Sequence, residues 1–452
     1  MKNKNVLFVS LGCDKNLVDT EKMLGILGKS GYSFTDEEEN AEVIIINSCC
    51  FIGDAKEESI QTILEMARYR ENGKLEALIV TGCLAERYRD EVLSELPEVD
   101  AVVGISAWHT IADVIGEVLE RKGEKTESFL PNDTFYESET DRMLTTGGHY
   151  AHLKIAEGCN KHCTYCIIPS IRGPYRSVPM EQLVEEAKKL AQKGVRELIL
   201  VAQETTVYGV DLYGKKMLPE LLRQLCRISG LAWIRILYCY PEEITQELID
   251  VMKEEKKICH YLDMPIQHAS DHVLKRMGRR TTQEELRQII SHLRAEIPDI
   301  VLRTTLITGF PGETQEDFQQ LKQFVDEMEF ERLGVFPYSM EENTPAAQME
   351  DQIDDAVKQA RRDEIMELQQ EISFAVEENC VDCVFTVMIE GKLSDENAYV
   401  GRTYMDAPGI DGYIFVQSEE ELVSGTFVPV LVTGSDEYDL IGEIYYGEEI
   451  TE

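Results

Sequence analysis

The sequence lacks long hydrophobic runs and is poor in basic residues. No stretch approaches the roughly 20 consecutive apolar residues of a membrane-spanning helix, so we expect no membrane segment. Lysine and arginine number 45 against 84 aspartates and glutamates, which leaves a net charge of −39. Such a surface repels nucleic-acid phosphates and attracts basic partners, although solubility alone would also account for it. The N-terminal stretch MKNKNVLFVS enters a strand-like pattern at once, unlike a signal peptide, which predicts a cytoplasmic protein.

What the sequence does contain is enough apolar material for several cores, together with many cysteines. Its 452 residues, 43% of them hydrophobic, suffice for about three domains and exclude a disordered or collagen-like chain. There are 12 cysteines. Because disulfide frameworks are rare in the cytosol, these cysteines predict metal binding or redox chemistry.

Residues 1–125 alternate between short apolar strands and helices. Strands are expected at 6–10, 43–47, 78–81 and 101–104. Strand–helix alternation with short connections predicts a parallel sheet with helices on both faces. The following stretch, 126–148, is polar and without periodicity, and we predict a linker there.

Two further regions follow the linker. Residues 149–378 contain six strand–helix units, fewer than the eight of a closed barrel, and predict an open, partial (β/α)6 barrel. Over residues 379–448 the pattern changes to five short strands with glycine-rich turns, which is typical of a small β-barrel. The fold class is therefore α/β, with a parallel-sheet domain, a partial barrel and a C-terminal β-barrel.

The strongest motif is the set Cys159-x3-Cys163-x2-Cys166, which follows the first strand of the second region. Three thiolates at this spacing can hold a [4Fe–4S] cube by three corners and leave its fourth iron open to a small ligand. Zinc is the alternative, but a structural zinc ion wants a fourth protein ligand. The spacing, with Tyr165 before the last cysteine, resembles the radical S-adenosylmethionine superfamily. That resemblance implies that S-adenosylmethionine binds at the open iron and is cleaved to a radical that removes hydrogen from unactivated carbon.

A second set of cysteines follows three strands of the first domain. Cys13, Cys49 and Cys83 each come directly after a strand, so in a parallel sheet all three fall at the edge where ligands bind. Three convergent thiolates again suit a cluster with one open iron. The alternative for each is a small buried hydrophobic residue. Cys50 adjoins Cys49 and the spacing does not exclude it; we choose Cys49.

Other residues at the predicted barrel rim are candidates for binding the cofactor. The turn LITGFPGE follows the fifth barrel strand and could let the backbone approach a ligand, although a simple tight turn is the alternative. Glu204 follows the second strand and could accept hydrogen bonds from a ribose or an ammonium group. No catalytic residue beyond the cluster ligands is predicted. The candidate cofactor-binding residues are Tyr165, Glu204, Gly309, Pro311, Gly312 and Glu313.

With both cysteine sets, the chain resembles the methylthiotransferases of the radical S-adenosylmethionine superfamily over essentially its whole length. The stretches that carry the resemblance are LGCDKNLVDTE, AQETTVYG, MPIQHAS and GRTYMDAPGIDGYIFV. The family implies an N-terminal cluster domain, a radical core, a C-terminal TRAM barrel, two [4Fe–4S] clusters and S-adenosylmethionine. One branch modifies adenosine in transfer RNA, and the other modifies an aspartate of small-subunit ribosomal protein number twelve. These stretches are similar to the second branch.

The charge of the tail favours the same branch. Residues 380–452 carry 16 acidic residues against two basic ones, a net charge of −14. A transfer-RNA-binding module needs a basic face, whereas this tail suits a basic ribosomal protein. Three alternatives stay open: a transfer RNA methylthiotransferase, a radical enzyme whose first cysteine set only relays electrons, and a non-catalytic ribosome-binding protein.

The resemblance also implies a mechanism and partners. The radical formed at Cys159, Cys163 and Cys166 removes hydrogen from the β-carbon of the target aspartate, and the other cysteine set supplies sulfur. The expected partners are the ribosomal protein, free or in the assembled subunit, and an electron-donor protein. We expect no membrane contact and at most incidental contact with nucleic acid.

Overall fold

A computed structural model of the chain describes residues 4–121, 123–132, 141–394 and 397–447. The chain divides into two compact units. The cysteine unit comprises Met1–Thr145, Ala156–Val178 and Ser339–Ala347. The barrel unit comprises Thr146–Ile155, Pro179–Tyr338 and Gln348–Glu452. No helix in the described ranges is long and apolar enough to cross a membrane.

The cysteine unit contains a six-stranded sheet in which every pair of neighbouring strands is parallel, in the order β2-β1-β3-β4-β5-β6. The strands are β1 Asn5–Ser10, β2 Ser33–Phe34, β3 Val43–Ser48, β4 Ala77–Gly82, β5 Ala101–Val103 and β6 Thr126–Ser128. The helices are α1 Asp14–Lys29, α2 Gly53–Ala67, α3 Tyr69–Asn72, α4 Cys83–Arg87, α5 Arg89–Glu95 and α6 Ile111–Glu120.

The central strands are apolar along their whole length because both of their faces are covered. Every residue of β3 and β4 is buried. Ile45 and Ile79 belong to the core on one face of the sheet, and Ile46 and Val80 to the core on the other. This is the pattern expected for strands inside a parallel sheet with helices on both sides.

Two short strands and a helix follow β7 Tyr150–Lys154 along the chain. These are β8 Ala156–Glu157, α7 Ile168–Arg172 and β9 Arg176–Ser177, with β8 and β9 paired antiparallel. They belong to the cysteine unit, whereas β7 belongs to the barrel unit. The predicted domain bounds stay predictions, as does the linker; its residues 133–140 lie outside the described part, and its first three residues form β6.

The barrel unit contains six parallel strands in the order β14-β13-β12-β11-β10-β7, an open sheet of the predicted kind. Beyond β7 these are β10 Glu197–Val201, β11 Trp233–Ile236, β12 Ile258–Asp263, β13 Val301–Thr308 and β14 Arg332–Pro337. The helices are α8 Met180–Gln192, α9 Val210–Tyr213, α10 Leu218–Cys226, α11 Gln246–Glu254, α12 Asp271–Arg276, α13 Gln283–Glu296, α14 Gln315–Met328 and α15 Asp355–Glu378.

The C-terminal strands close into a small barrel in the order β15-β16-β17-β19-β18. They are β15 Val384–Lys392, β16 Ala398–Arg402, β17 Ile414–Gln417, β18 Phe427–Ser435 and β19 Leu440–Ile444. Residue 448, the predicted end of this domain, lies outside the described residues. The predicted fold class is confirmed in all three of its parts.

A buried set of ion pairs joins the small barrel to the amino ends of the barrel strands. Glu197, the first residue of β10, contacts Arg235 at 2.7 Å and Arg402 at 2.6 Å, and all three side chains are fully buried. Arg332, the first residue of β14, contacts Asp406 at 2.6 Å. The small barrel therefore covers the amino ends of the strands, opposite the carboxyl edge that carries Glu204 and the turn from Gly309 to Glu313.

Candidate metal centre

The first cysteine set lies at the carboxyl edge of the sheet in the cysteine unit. Cys13 immediately precedes α1, Cys49 follows β3, and Cys83 is the first residue of α4, directly after β4. The parallel register pairs Ser10 with Asn47 and Ser48 with Gly82, so the three strands end at one level. The topology thus brings together residues that are 70 positions apart in the chain.

The loop that carries Cys13 packs closely against Cys49. Gly12 has a φ of +86°, and a side-chain Cβ there would lie 2.7 Å from Cys49 Cβ and 2.9 Å from its Sγ. Only glycine combines this conformation with so close an approach. Any larger residue at position 12 would push the Cys13 loop away from Cys49.

Two thiols of this set, those of Cys49 and Cys83, are buried, whereas Cys13 is half-buried. Burial, with a further contribution from Cys83, raises the pKa of Cys49 to about 12, and burial also raises the pKa of Cys83. Such thiols stay protonated at neutral pH and become thiolates when a metal takes the place of the proton. The chemistry of the set therefore fits metal ligands better than free nucleophiles.

Cys50 has different surroundings from Cys49. Its side chain is fully buried in the apolar core that also contains Ile46 and Val80. Its carbonyl oxygen accepts a hydrogen bond from Arg87 Nη1 at 3.1 Å. Cys49, by contrast, lies against Gly12 beside Cys13, which favours Cys49 as the member of the set.

Asn16 ties the loops of the first set together, a role that sequence reasoning did not identify. Its Nδ2 donates to the carbonyl oxygens of Leu11 and Ser48, each at 3.0 Å. Its Oδ1 lies 3.9 Å from Cys83 Sγ. One buried amide thus touches the segments that carry all three cysteines; its place within LGCDKNLVDTE was the only available signal.

The second cysteine set lies on the loop between β8 and α7. Cys159 and Cys163 are buried and Cys166 is half-buried. The backbone N–H of Cys166 donates to the carbonyl oxygen of Cys163 at 3.0 Å, which closes a tight turn. Burial, with smaller contributions from Cys163 and Cys159, raises the pKa of Cys166 to about 12. This set therefore has the same chemistry as the first.

Tyr165 and His162 lie within the second loop. Tyr165 is half-buried, and its role in cofactor binding stays a prediction. His162 is exposed and has a φ of 44°, a conformation that is uncommon outside glycine. Its exposure separates it from the buried thiols Cys159 and Cys163.

A segment from much later in the chain completes the cysteine unit. Ser339 Oγ accepts a hydrogen bond from the backbone N–H of Gly53 at 3.2 Å. Glu341 forms a buried ion pair with Arg87 of α4 at 2.6 Å. The N–H of Ala346 donates to the carbonyl oxygen of Thr164 at 2.9 Å. The Ser339–Ala347 segment therefore contacts both the Cys49–Cys83 region and the second cysteine loop, which sequence patterns did not indicate.

The remaining candidate cofactor residues lie in the barrel unit. Glu204 is buried, and its Oε1 accepts a hydrogen bond from Thr206 at 3.2 Å. Glu313 is also buried; its carboxylate accepts from the N–H of Phe310 at 3.1 Å and pairs with Arg361 at 2.8 Å. The cofactor role proposed for these residues stays a prediction, and the contacts of Glu313 are those of a residue that supports the turn.

The glycines of the same turn are required by the chain's own neighbours. A Cβ on Gly309, at φ +70°, would lie 2.2 Å from Cγ of Lys358, and one on Gly312, at φ +80°, would lie 2.5 Å from a carboxylate oxygen of Asp351. The carbonyl oxygen of Pro311 accepts from Arg276 Nε at 2.9 Å. These contacts favour the simpler explanation, a tight turn; ligand binding by Gly309, Pro311 and Gly312 stays a prediction.

No group of three or more histidine, cysteine or carboxylate side chains in the described ranges is arranged to hold one metal ion. A [4Fe–4S] cube makes a different demand, because each thiolate bonds to its own iron and the sulfurs stand further apart than the ligands of one ion. Each cysteine set meets that demand in donor type and number.

Comparison with known proteins assigns the chain to a family. Models of three families match it in order: the uncharacterized protein family UPF0004 over residues 5–104, the radical SAM superfamily over 153–325 and the TRAM domain over 382–444. A ribosomal protein uS12 methylthiotransferase RimO from Lachnoclostridium phytofermentans is 65% identical, covering 97% of this chain and 99% of the relative. The RimO of Acetivibrio thermocellus is 54% identical, covering 98% of each chain.

The chain belongs to the RimO family. The predicted radical SAM methylthiotransferase is thereby confirmed, and membership of this family implies [4Fe–4S] clusters and S-adenosylmethionine as cofactors.

Solved structures agree with the fold. The radical S-adenosylmethionine methyltransferase TsrM from Kitasatospora setae, with cobalamin and a [4Fe–4S] cluster bound, has a TM-score of 0.55 over 85% of this chain and 77% of that chain. The cobalamin-dependent radical enzyme OxsB has a TM-score of 0.52 over 82% of this chain and 56% of its own. Both are 13% identical to this chain, so the likeness extends to the fold alone.

Proposed function

We propose that the chain replaces a hydrogen on the β-carbon of an aspartate in ribosomal protein uS12 with a methylthio group. Cys13, Cys49 and Cys83 would hold one [4Fe–4S] cluster, and Cys159, Cys163 and Cys166 the other. The observation that carries this proposal is that both three-cysteine sets belong to one compact unit of the RimO family fold. An enzyme that must deliver a radical and a sulfur atom to the same carbon needs two such sets.

The residues of the chain have separate tasks in this reaction. When bound, one cluster with S-adenosylmethionine supplies a hydrogen-abstracting radical, and the other supplies sulfur, while a second S-adenosylmethionine supplies the methyl group. Burial of Cys49 and Cys83 in one set, and of Cys159 and Cys163 in the other, limits the access of water to these ligands. Asn16 joins two segments of the first set through its hydrogen bonds to Leu11 and Ser48, and its Oδ1 lies 3.9 Å from Cys83 Sγ in the third.

The surface of the TRAM barrel supports a basic protein as the substrate. Of the two basic residues in the tail, Arg402 is fully buried and paired with Glu197 and Glu390, which leaves Lys392 as the exposed one. Exposed acidic residues include Glu419, Glu420 and Glu421. Ribosomal protein, whether free or in the assembled subunit, suits this surface better than RNA phosphates do. The proposal also includes an electron-donor protein and a cytoplasmic location.

Metal analysis and product analysis test the proposed function together. Anaerobically reconstituted chain is expected to hold about eight irons, two cubes of four, and about four after alanine replacement of either cysteine set. Incubated with S-adenosylmethionine, reductant, ribosomal subunits and transfer RNA, it is expected to increase the mass of uS12 by that of one methylthio group less the hydrogen that the group replaces. A total of about four irons in the unaltered chain, or a methylthio group found on transfer RNA instead of uS12, would overturn the proposal.

Binding of the substrate is expected to depend on the acidic surface of the TRAM barrel. Exchange of Glu419, Glu420 and Glu421 for glutamine removes three exposed charges, which is expected to slow association with uS12 and flatten its salt dependence. Surface plasmon resonance at several salt concentrations measures both effects with the full-length chain.

The matched control for that experiment removes three exposed carboxylates from the cysteine unit instead. Asp36, Glu37 and Glu39 are exposed and lie in that unit, close together in the chain as the TRAM residues are. The control variant is therefore Asp36→Asn with Glu37→Gln and Glu39→Gln. Association that stays equally salt-dependent in the TRAM variant, or that falls equally in the control, would contradict a role for the TRAM surface.

A further inference from the structure

Arg172 is a buried cation that the proposed mechanism leaves without a task. It ends α7, six residues after Cys166, and its side chain is only 1% exposed. It is among the largest fully buried side chains in the described part of the molecule. A guanidinium is taken out of water at considerable cost, so its partners indicate what it does there.

The two terminal nitrogens of the guanidinium, Nη1 and Nη2, face different groups. Nη1 lies 2.9 Å from a carboxylate oxygen of Glu157 and 3.6 Å from one of Asp19. Nη2 donates to Asn16 Oδ1 at 2.5 Å and to Cys83 Sγ at 3.4 Å. Nη1 is thus held by carboxylates, and Nη2 reaches a sulfur of the first cysteine set. The contact joins the segment that carries the second set to a member of the first.

The direction of the effect on a cluster follows from charge. A thiolate that ligates iron is still an acceptor, and hydrogen bonds to such sulfurs, together with net charge nearby, set the reduction potential of the cluster. One-electron reduction adds a negative charge. A fixed N–H donor on a buried cation stabilises that extra charge and makes the cluster easier to reduce.

We propose that Arg172 is a positioning residue for the first cysteine set, which orients the Cys83 sulfur and raises the reduction potential of the cluster bound there. The inference rests on the function proposed above, since that function makes Cys83 a ligand. Arginine suits the task because its planar guanidinium binds the carboxylates through one terminal nitrogen and donates to the sulfur through the other. The single ammonium group of lysine cannot hold both kinds of partner in this fixed geometry.

A redox titration of the first cluster alone tests this inference. The parent protein is the full-length chain with Cys159, Cys163 and Cys166 replaced by alanine. Arg172→Gln and Arg172→Lys are made in that background. Arg142→Gln is the matched control, because Arg142 is also buried in the cysteine unit and pairs with Glu21 at 3.2 Å. Dithionite supplies the electron, and the paramagnetic signal of the reduced cluster reports the midpoint potential.

The expected result is a more negative midpoint potential in R172Q, a smaller shift in the same direction in R172K, and the parent's value in R142Q. An R172Q protein with about four irons and the parent's potential would overturn the inference. If R172Q is unfolded by circular dichroism or has lost its iron, the R172K protein is used instead. An R172K protein with about four irons and the parent's potential would then overturn the inference. Loss of iron from the parent itself would instead refute the proposed function, so the two failures are distinguishable.

Discussion

Exchange of Cys49 for alanine is expected to remove about half of the iron and all methylthiolation of uS12, whereas exchange of the adjacent Cys50 should spare both. Cys49 lies against Gly12 at the carboxyl edge of the sheet, beside Cys13. Cys50 is fully buried, whereas Cys49 and Cys83 each keep a small exposed surface. A cluster held by three cysteines binds much more weakly when one of them is removed. About four of the about eight irons should therefore be absent from the Cys49→Ala protein.

The pair is informative because both variants remove a single buried sulfur from neighbouring positions. Iron is counted after anaerobic reconstitution, and the uS12 product is measured by mass spectrometry. Circular dichroism confirms that each protein is folded. Should Cys50→Ala lose the iron while Cys49→Ala retains it, the assignment of the first set would have to be exchanged between the two residues.

Exchange of Glu197 for glutamine is expected to destabilise the barrel unit by about 3–5 kcal/mol, the usual effect of removing one partner from a buried ion pair. Glu197 contacts Arg235 and Arg402 with no exposed surface on any of the three. Glutamine has nearly the same shape as glutamate, so the decrease in the free energy of unfolding is caused by the lost charge and not by a cavity. Urea unfolding followed by the fluorescence of Trp233, in a Trp108→Phe background, measures it in this unit.

The pH dependence of that loss has a definite sign. Burial opposes ionisation of Glu197, but Arg402 and Arg235 outweigh it and lower its pKa to about 2, below the ordinary value of 4.5. A carboxyl with a lowered folded pKa stabilises the fold above its unfolded pKa, and that stability is lost as the pH falls through the folded pKa. The free energy of unfolding of the parent should therefore exceed that of Glu197→Gln by the full amount above about pH 5. This excess should shrink as the pH falls from about 4.5 to 2.

Exchange of Glu296 for glutamine provides the control. Glu296 pairs with Lys253 at the same distance of 2.7 Å, but on the surface. Water and salt screen that pair, and no measurable change in unfolding is expected. Equal effects of the two exchanges would show that burial of the Glu197 pairs has no energetic consequence.

The parts of this molecule that sequence predicted are those in which one chemical property repeats. The alternation of apolar strands and helices predicted the parallel sheets, because β3 and β4 need apolar residues on both faces. The position of Cys13, Cys49 and Cys83 at one edge was predictable because parallel strands end at one level, whereas their role as cluster ligands stays a prediction. The acidic tail and its five strands were likewise visible as a change of pattern.

What sequence did not predict depends on contacts between distant segments. Asn16 and Arg172 are single polar residues in otherwise ordinary positions, and only the folded chain brings them to Cys83. The glycines of the GFPGE turn looked like a ligand-binding feature because pattern alone does not reveal that Lys358 and Asp351 occupy the space beside them. The β6 strand was missed because three residues carry too little periodicity.

The cysteine unit is built from three stretches of sequence, of which the last, Ser339–Ala347, follows the final strand of the partial barrel. Chains emerge from the ribosome from the N-terminus, and domains generally fold as they become complete. Here the earliest sheet can form long before the residues that contact Gly53, Arg87 and Thr164 have been made. The cysteine unit therefore gains its full set of internal contacts only after about three quarters of the polypeptide has been synthesised.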